Sequence, residues 1–128
     1  LMFIASTDKI LNYNFKNYAH FRDVTDAYTT TNSYATVVQH HVGGYDQIIY
    51  YIDNTHGSNA MTAQVDVSND GTNFFTLSGY VGGENIAAGD TNIFASNQQH
   101  HFYRVQLKST TGGSHATAQV YWNYVENL

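Results

Sequence analysis

Apolar and polar side chains alternate with a period of two along most of the chain, and a helical period is hardly sustained anywhere. The clearest run covers residues 116–125. Ala116, Ala118, Val120, Trp122 and Tyr124 fall on one face, and Thr117, Gln119, Tyr121 and Asn123 on the other. Met61, Ala63, Val65 and Val67 alternate in the same way with Thr62, Gln64, Asp66 and Ser68. Tyr103, Val105 and Leu107 alternate with Arg104, Gln106 and Lys108. Residues 37–42 and 47–53 predict two further strands. Within the second, Ile48-Ile49-Tyr50-Tyr51-Ile52 is apolar on both faces, which predicts a central strand covered from both sides. Nearer the start, Leu11, Tyr13 and Phe15 alternate with Asn12, Asn14 and Lys16. Leu11, Phe15 and Tyr18 would also suit a helix, but Asn-rich, aromatic-rich sequence favours strand.

Glycine, Asn and Asp punctuate these runs at Gly43-Gly44, Asn69-Asp70-Gly71, Gly82-Gly83, Gly89-Asp90 and Gly112-Gly113, supplying the positive φ angles of tight β-turns. Nine or ten short strands so separated predict an all-β fold: an antiparallel β-sandwich, of jelly-roll type, as one domain over residues 1–128. The motif Ala63-Gln64-Val65 recurs as Ala118-Gln119-Val120. Equivalent positions on related strands would produce this, and so would biased composition.

Composition narrows the function. At 128 residues and 14.3 kDa the chain suffices for one core. Charged residues make up only 12%, while Asn, Gln, Ser and Thr supply 42 residues and aromatics 15%. The chain is polar without being charged, and too aromatic for a disordered polyelectrolyte. Five basic residues stand against ten acidic ones, with no basic cluster, so no nucleic-acid partner is expected. No apolar run approaches the ~20 residues of a membrane span. Cysteine and proline are both absent. The first absence rules out disulfides; the second leaves every backbone N–H able to donate. The start at Leu1 fits a processed polypeptide as well as a trimmed one.

Candidate chemistry is thin. His40-His41 and His100-His101 lie in strand-like segments, so each pair points to opposite faces and cannot chelate one ion. A site taking one member from each pair is left, without an acidic or cysteine partner at helpful spacing. Surface or interface histidines are expected, with neither metal nor cofactor; between subunits they would make contacts pH-sensitive. Asp66-x-Ser68-x-Asp70-Gly71 is similar to the start of a calcium loop, but the twelfth position, where a bidentate Glu belongs, is Leu77. Residues 68–74 therefore read as a hairpin turn, with Phe74 returning to the core. Glu84 and Glu126 are the only glutamates, and nothing pairs them for hydrolysis. Gly112-Gly113-Ser114-His115 lacks the strand-to-helix setting of a nucleophile elbow. A non-enzymatic protein is expected.

The aromatics are left to explain: eleven Tyr, seven Phe and one Trp. Alternation sets Tyr51, Phe102 and Tyr121 opposite the better-patterned apolar faces, where amphipathic rings suit contact surfaces. Leu1, Met2, Phe3 and Ile4 form an apolar start that suits strand addition to a neighbour, making residues 1–8 a docking extension. The alternative is that this start covers its own core. Trp122 or surface Tyr residues would serve equally as stacking platforms for a glycan.

From Tyr45 onward the order of features is Tyr50-Tyr51-Ile52-Asp53-Asn54-Thr55, then residues 63–74, Ile86-Ala87-Ala88-Gly89-Asp90-Thr91, Tyr103-Arg104-Val105-Gln106-Leu107 and residues 116–122. Over about 85 residues this resembles small bacterial β-sandwich domains allied to the subunits of endospore appendages. The resemblance implies a jelly-roll subunit that polymerises with copies of itself, its N-terminal extension docking on a neighbour. The chain departs from the appendage type in having no cysteine, so subunits would not be cross-linked covalently. The function expected is thus a structural subunit of an extracellular or cell-surface, pilus-like filament. A virion capsid or tail decoration protein is the first alternative, and a carbohydrate-binding module the second.

Overall fold

The alternation resolves into ten strands in the computed structural model, which describes residues 18–42, 45–77, 82–98 and 100–127. They are β1 (Tyr18–Val24), β2 (Tyr28–Thr29), β3 (Ala35–His41), β4 (Tyr45–Asn54), β5 (Met61–Ser68), β6 (Phe75–Thr76), β7 (Glu84–Ile86), β8 (Thr91–Ser96), β9 (Phe102–Ser109) and β10 (Thr117–Asn127). The strands expected around residues 37–42, 47–53, 61–68, 103–108 and 116–125 are all present, with ends moved by a residue or two. The strand expected around Leu11, Tyr13 and Phe15, and the extension at residues 1–8, lie outside the described residues.

Pairing follows a nested pattern. β1 pairs with β10, β3 with β9, β4 with β8 and β5 with β7, all antiparallel. Residues 18–127 therefore form a long hairpin, zipped from β1 and β10 toward its middle and rolled up. Two further ladders, β4 with β10 and β5 with β9, close the roll. One sheet then has the order β1-β10-β4-β8 and the other β3-β9-β5-β6, with β2 added to β10 and β7 to β5. This winding is a jelly roll, and the fold is an antiparallel β-sandwich.

The inward faces make one core. Ile48, Tyr50 and Ile52 of β4, Ala118 and Val120 of β10, Met61, Ala63 and Val65 of β5, and Tyr103, Val105 and Leu107 of β9 are all buried. The repeated Ala-Gln-Val motif occupies matching positions here: both copies point Ala and Val into the core from opposite sheets. β4 does lie between two neighbours, yet its outer face is only half-covered at Ile49 and Tyr51. The strand buried on both sides is instead β5, whose outward Thr62, Asp66 and Ser68 are buried along with its apolar residues. A polar face can be buried when each group finds an internal partner, and β5 achieves this through its own sheet.

One turn shows how tightly that sheet is closed. Gly83 has a φ of 84°, and a Cβ added there would collide with the Thr62 methyl and the Tyr34 hydroxyl. Left-handed backbone costs an L-residue ~1–2 kcal/mol, and overpacking adds ~1–3. Gly83→Ala is expected to remove about 2–4 kcal/mol, read as a lower urea midpoint at unchanged slope.

Candidate functional site

The two outer faces of the sandwich differ in kind. On the β3-β9-β5 sheet the outward side chains satisfy one another. Arg104 Nε donates to Asp66 Oδ2 at 2.8 Å, and Gln64 Nε2 donates to Asp66 Oδ1 at 2.9 Å. Thr62 and Thr110 share a hydroxyl contact of 2.8 Å, Thr110 Oγ1 donates to Asn85 Oδ1, and Gln106 Nε2 donates to Thr36 Oγ1. The Arg104 guanidinium lies 4.1 Å above the Phe74 ring, and the Lys108 ammonium 4.8 Å above Tyr34. Phe74 thus covers this face instead of returning to the core.

The outer face of the other sheet carries an exposed apolar row. In register across its four strands stand Val24 of β1, Tyr121 of β10, Tyr51 of β4 and Ile93 of β8. Val24, Tyr121 and Ile93 are 38%, 40% and 63% exposed, and Tyr51 is half-buried. A second row sets Arg22, Asn123, Ile49 and Ala95 side by side; beyond the first row lie Gln119, Asp53 and Thr91. Over this face runs a groove of about 560 Å³ whose lining includes Arg22, Val24, Tyr51, Asp53, Thr91 and Tyr121. The four strands put the apolar row at the middle and hydrogen-bonding groups at the rim, the anatomy of a contact surface.

Of the residues singled out in the sequence, Tyr51 and Tyr121 are brought together here as direct cross-strand partners. Phe102 is not: it starts β9 in the opposite sheet, stacked on His41 at 4.5 Å and packed over Gly71, so it closes a turn of its own chain. Leu1, Met2, Phe3 and Ile4 lie outside the described residues. Trp122 points inward, 4.4 Å from the His40 ring. Sequence reasoning missed Val24 and Ile93. Around Ile93 both alternating sets carry apolar residues (Ile93 and Ala95, Phe94), so only register shows which face is outward.

The histidines also separate. His100 and His101 precede β9 and are not in a strand. His41 lies on the surface, its ring centre 6.4 Å from that of His101. His40 is no surface residue: it sits among Tyr50, Trp122 and Tyr124, with Nδ1 2.9 Å from the Tyr50 hydroxyl. Burial holds its pKa down at about 4. Burial, followed by nearby Tyr103 and Tyr124, raises that of Tyr50. Among the described residues no group of three His, Cys, Asp or Glu is placed to hold a metal ion.

Two polar clusters have structural tasks. Asp70 Oδ1 accepts hydrogen bonds from Thr72 N, Asn73 N and Ser68 Oγ, and Oδ2 one from Asn73 Nδ2. These bonds, led by the backbone N–H of Asn73, hold its carboxyl far below the usual carboxylate range; the residues resembling a calcium loop satisfy their own acid. Ser109 Oγ lies 2.8 Å from both His115 Nδ1 and Thr30 Oγ1. Ser109 is 3% exposed, so this serine–histidine pair ties the β9–β10 turn to the chain at Thr30 with no access for a substrate.

A family described as a domain of unknown function, DUF6385, matches residues 41–125. No curated protein matches the chain in sequence. Among solved structures, a subunit of the Bacillus endospore appendages that form disulfide-linked pili superposes with a TM-score of 0.62 at 12% identity, covering 88% of this chain and 90% of that one. The PBSX exported protein XepA gives 0.61 at 12% identity, over 84% of this chain but only 37% of that one. The coat protein of Tobacco streak virus gives 0.53 at 8%, over 87% and 86%. What these share with the chain is the sandwich fold.

Proposed function

Because the chain belongs to the DUF6385 family, whose description names no activity, its role has to be read from its own surface, and we propose that it is the structural subunit of a non-covalent, pilus-like filament outside the cell. The observation that carries this reading is the apolar row Val24–Tyr121–Tyr51–Ile93, exposed on one sheet while the opposite sheet's outer face is satisfied internally. A face of this kind remains in water only until a partner covers it. The fold agrees: appendage pilin and virus coat protein are assembly subunits built on the same sandwich. With 12% charged residues, like charges do little to keep copies apart. Without cysteine, the contacts are held by burial and hydrogen bonds alone.

In this reading residues 1–5 dock on a neighbour as an added strand, which makes the contact open-ended. Negative-stain electron microscopy of the purified chain is expected to show filaments. Deleting residues 1–5 should leave a folded monomer that no longer polymerises; undiminished fibres from the shortened chain would remove the docking tail. Tyr121→Glu, placing a charge on the exposed row, should raise the concentration needed for assembly at least about tenfold. Closed shells in the micrographs would identify a capsid-type subunit, and monomers at every concentration would end the assembly reading.

A further inference from the structure

Four large apolar side chains stand out into solvent among the described residues: Val24, Tyr121 and Ile93 on the grooved face, and Phe75, at 71% the most exposed of them. Phe75 lies elsewhere. It belongs to the two-residue strand β6, which hydrogen-bonds to β5 in the opposite sheet. A large aromatic held out on a short edge strand adds little to its own domain's stability, since most of its surface remains wet.

We propose that Phe75 of one copy inserts into the groove over Tyr51 and Tyr121 of the next, and that this contact propagates the chain of subunits together with the docked residues 1–5, neither sufficing alone. The inference rests on the assembly reading and names the two surfaces that meet. Three observations support a second copy in this arrangement. The first is shape and room: a cavity of about 150 Å³ holds a benzene-sized ring, and the groove, about 560 Å³, takes the Phe75 ring with part of its strand. The second is area. From strand spacing and rise, the apolar patch measures roughly 20 by 15 Å, well under the ~800 Å² per partner of a stable dimer. Two identical patches would make a poor permanent pair, whereas a modest contact repeated at every subunit suits a polymer. The third is placement. Groove and aromatic belong to different sheets, so the contact is heterologous and each added copy presents a fresh groove or a fresh Phe75.

Complementary blocked variants test this. Phe75→Ser removes the inserted ring, and Tyr51→Arg fills the groove with a charge; both positions lie outside the core, and circular dichroism with thermal unfolding verifies that each variant is folded. Each variant alone is expected to stay monomeric in light scattering at ten times the wild-type assembly threshold. Mixed, the two should form one-to-one dimers and nothing larger, because the Phe75 of the groove variant still fits the groove of the Phe75 variant. Fibres from Phe75→Ser at the wild-type threshold would overturn the proposal while leaving the assembly reading intact. So would a mixture that stays monomeric, and so would Phe75→Ser dimerising on its own, the outcome expected if identical grooved faces pair with each other. A wild-type chain that never assembles would instead defeat the reading beneath it.

Discussion

Asn54→Asp is expected to remove about 3–5 kcal/mol of stability at pH 7, a large part of the 5–15 kcal/mol typical of a domain. Asn54 is fully buried at the end of β4. Its Nδ2 donates to the carbonyls of Asn59 and Ile86, each at 3.0 Å, and its Oδ1 accepts from His56 N at 3.0 Å. One amide therefore joins the end of β4, the β4–β5 connection and β7. Its own backbone adds two bonds, donating to Asp90 O and accepting from Gly89 N. A carboxylate keeps the acceptor but turns the two donor contacts into repulsion between oxygens. When protonated it can donate to only one of the two carbonyls. The loss should therefore shrink as pH falls toward 5, because burial favours the neutral acid. Asn54→Ala, which leaves the carbonyls unpaired without adding charge, should cost less, about 2–3 kcal/mol. Thermal unfolding of the three proteins at pH 7 and pH 5 checks both the order and the narrowing gap. Equal losses for Asp and Ala at pH 7 would show that the buried charge adds nothing to the loss of the amide donors, and a negligible loss for Ala would show that the donors contribute little.

The second large effect is a loss of stability in acid, centred on His40. Its pKa is held at about 4 against ~6.5 in an unfolded chain. Between those values the unfolded chain binds the additional proton, so stability is complete above about pH 6.5 and declines as pH falls toward 4. The full shift corresponds to roughly 3 kcal/mol. Since the ring is not wholly enclosed, solvent screening reduces this to about 1–2 kcal/mol, or some 5–10 °C in unfolding temperature. The groups described against it are aromatic: Tyr50 of β4, Trp122 and Tyr124 of β10, and, in register on β9, Tyr103. None of these supplies a carboxylate to compensate an imidazolium. His40→Gln, which keeps a hydrogen-bonding group beside the Tyr50 hydroxyl, should flatten the slope between pH 6.5 and 4 while the carboxylate contribution to acid unfolding remains. An unchanged slope would assign the acid sensitivity to other groups.

Most of the strand pattern was legible because burial on one face writes a period of two into the sequence. Met61, Ala63, Val65 and Val67 could hardly be arranged otherwise. What the period cannot show is how the outward set is treated. Ile49 and Tyr51 are apolar and left half-covered, whereas Thr62 and Asp66 are polar and buried; hydropathy alone ranks them the other way. Their states depend on partners distant in sequence, such as Arg104 for Asp66. The same holds for His40 and His41, adjacent residues that alternation sends to opposite sides without saying which is inward. For the contact surface, Tyr51 and Tyr121 were legible as outward aromatics. Phe102 was equally outward but is used by its own chain, and Val24 and Ile93 became visible only through strand register.

The internally satisfied outer face of the β3-β9-β5 sheet bears on the outside of any fibre built through the opposite face. Except where the β6 edge meets the next copy, that sheet would turn toward water a coat of amides and hydroxyls, including Thr36, Gln106 and Gln64, with Asp66 and Arg104 neutralising each other. Such a coat binds water strongly, carries little net charge and has few free charges for salt to screen. Bundling of finished fibres should accordingly respond weakly to ionic strength, giving the material a hydrated, low-adhesion exterior over a non-covalent interior.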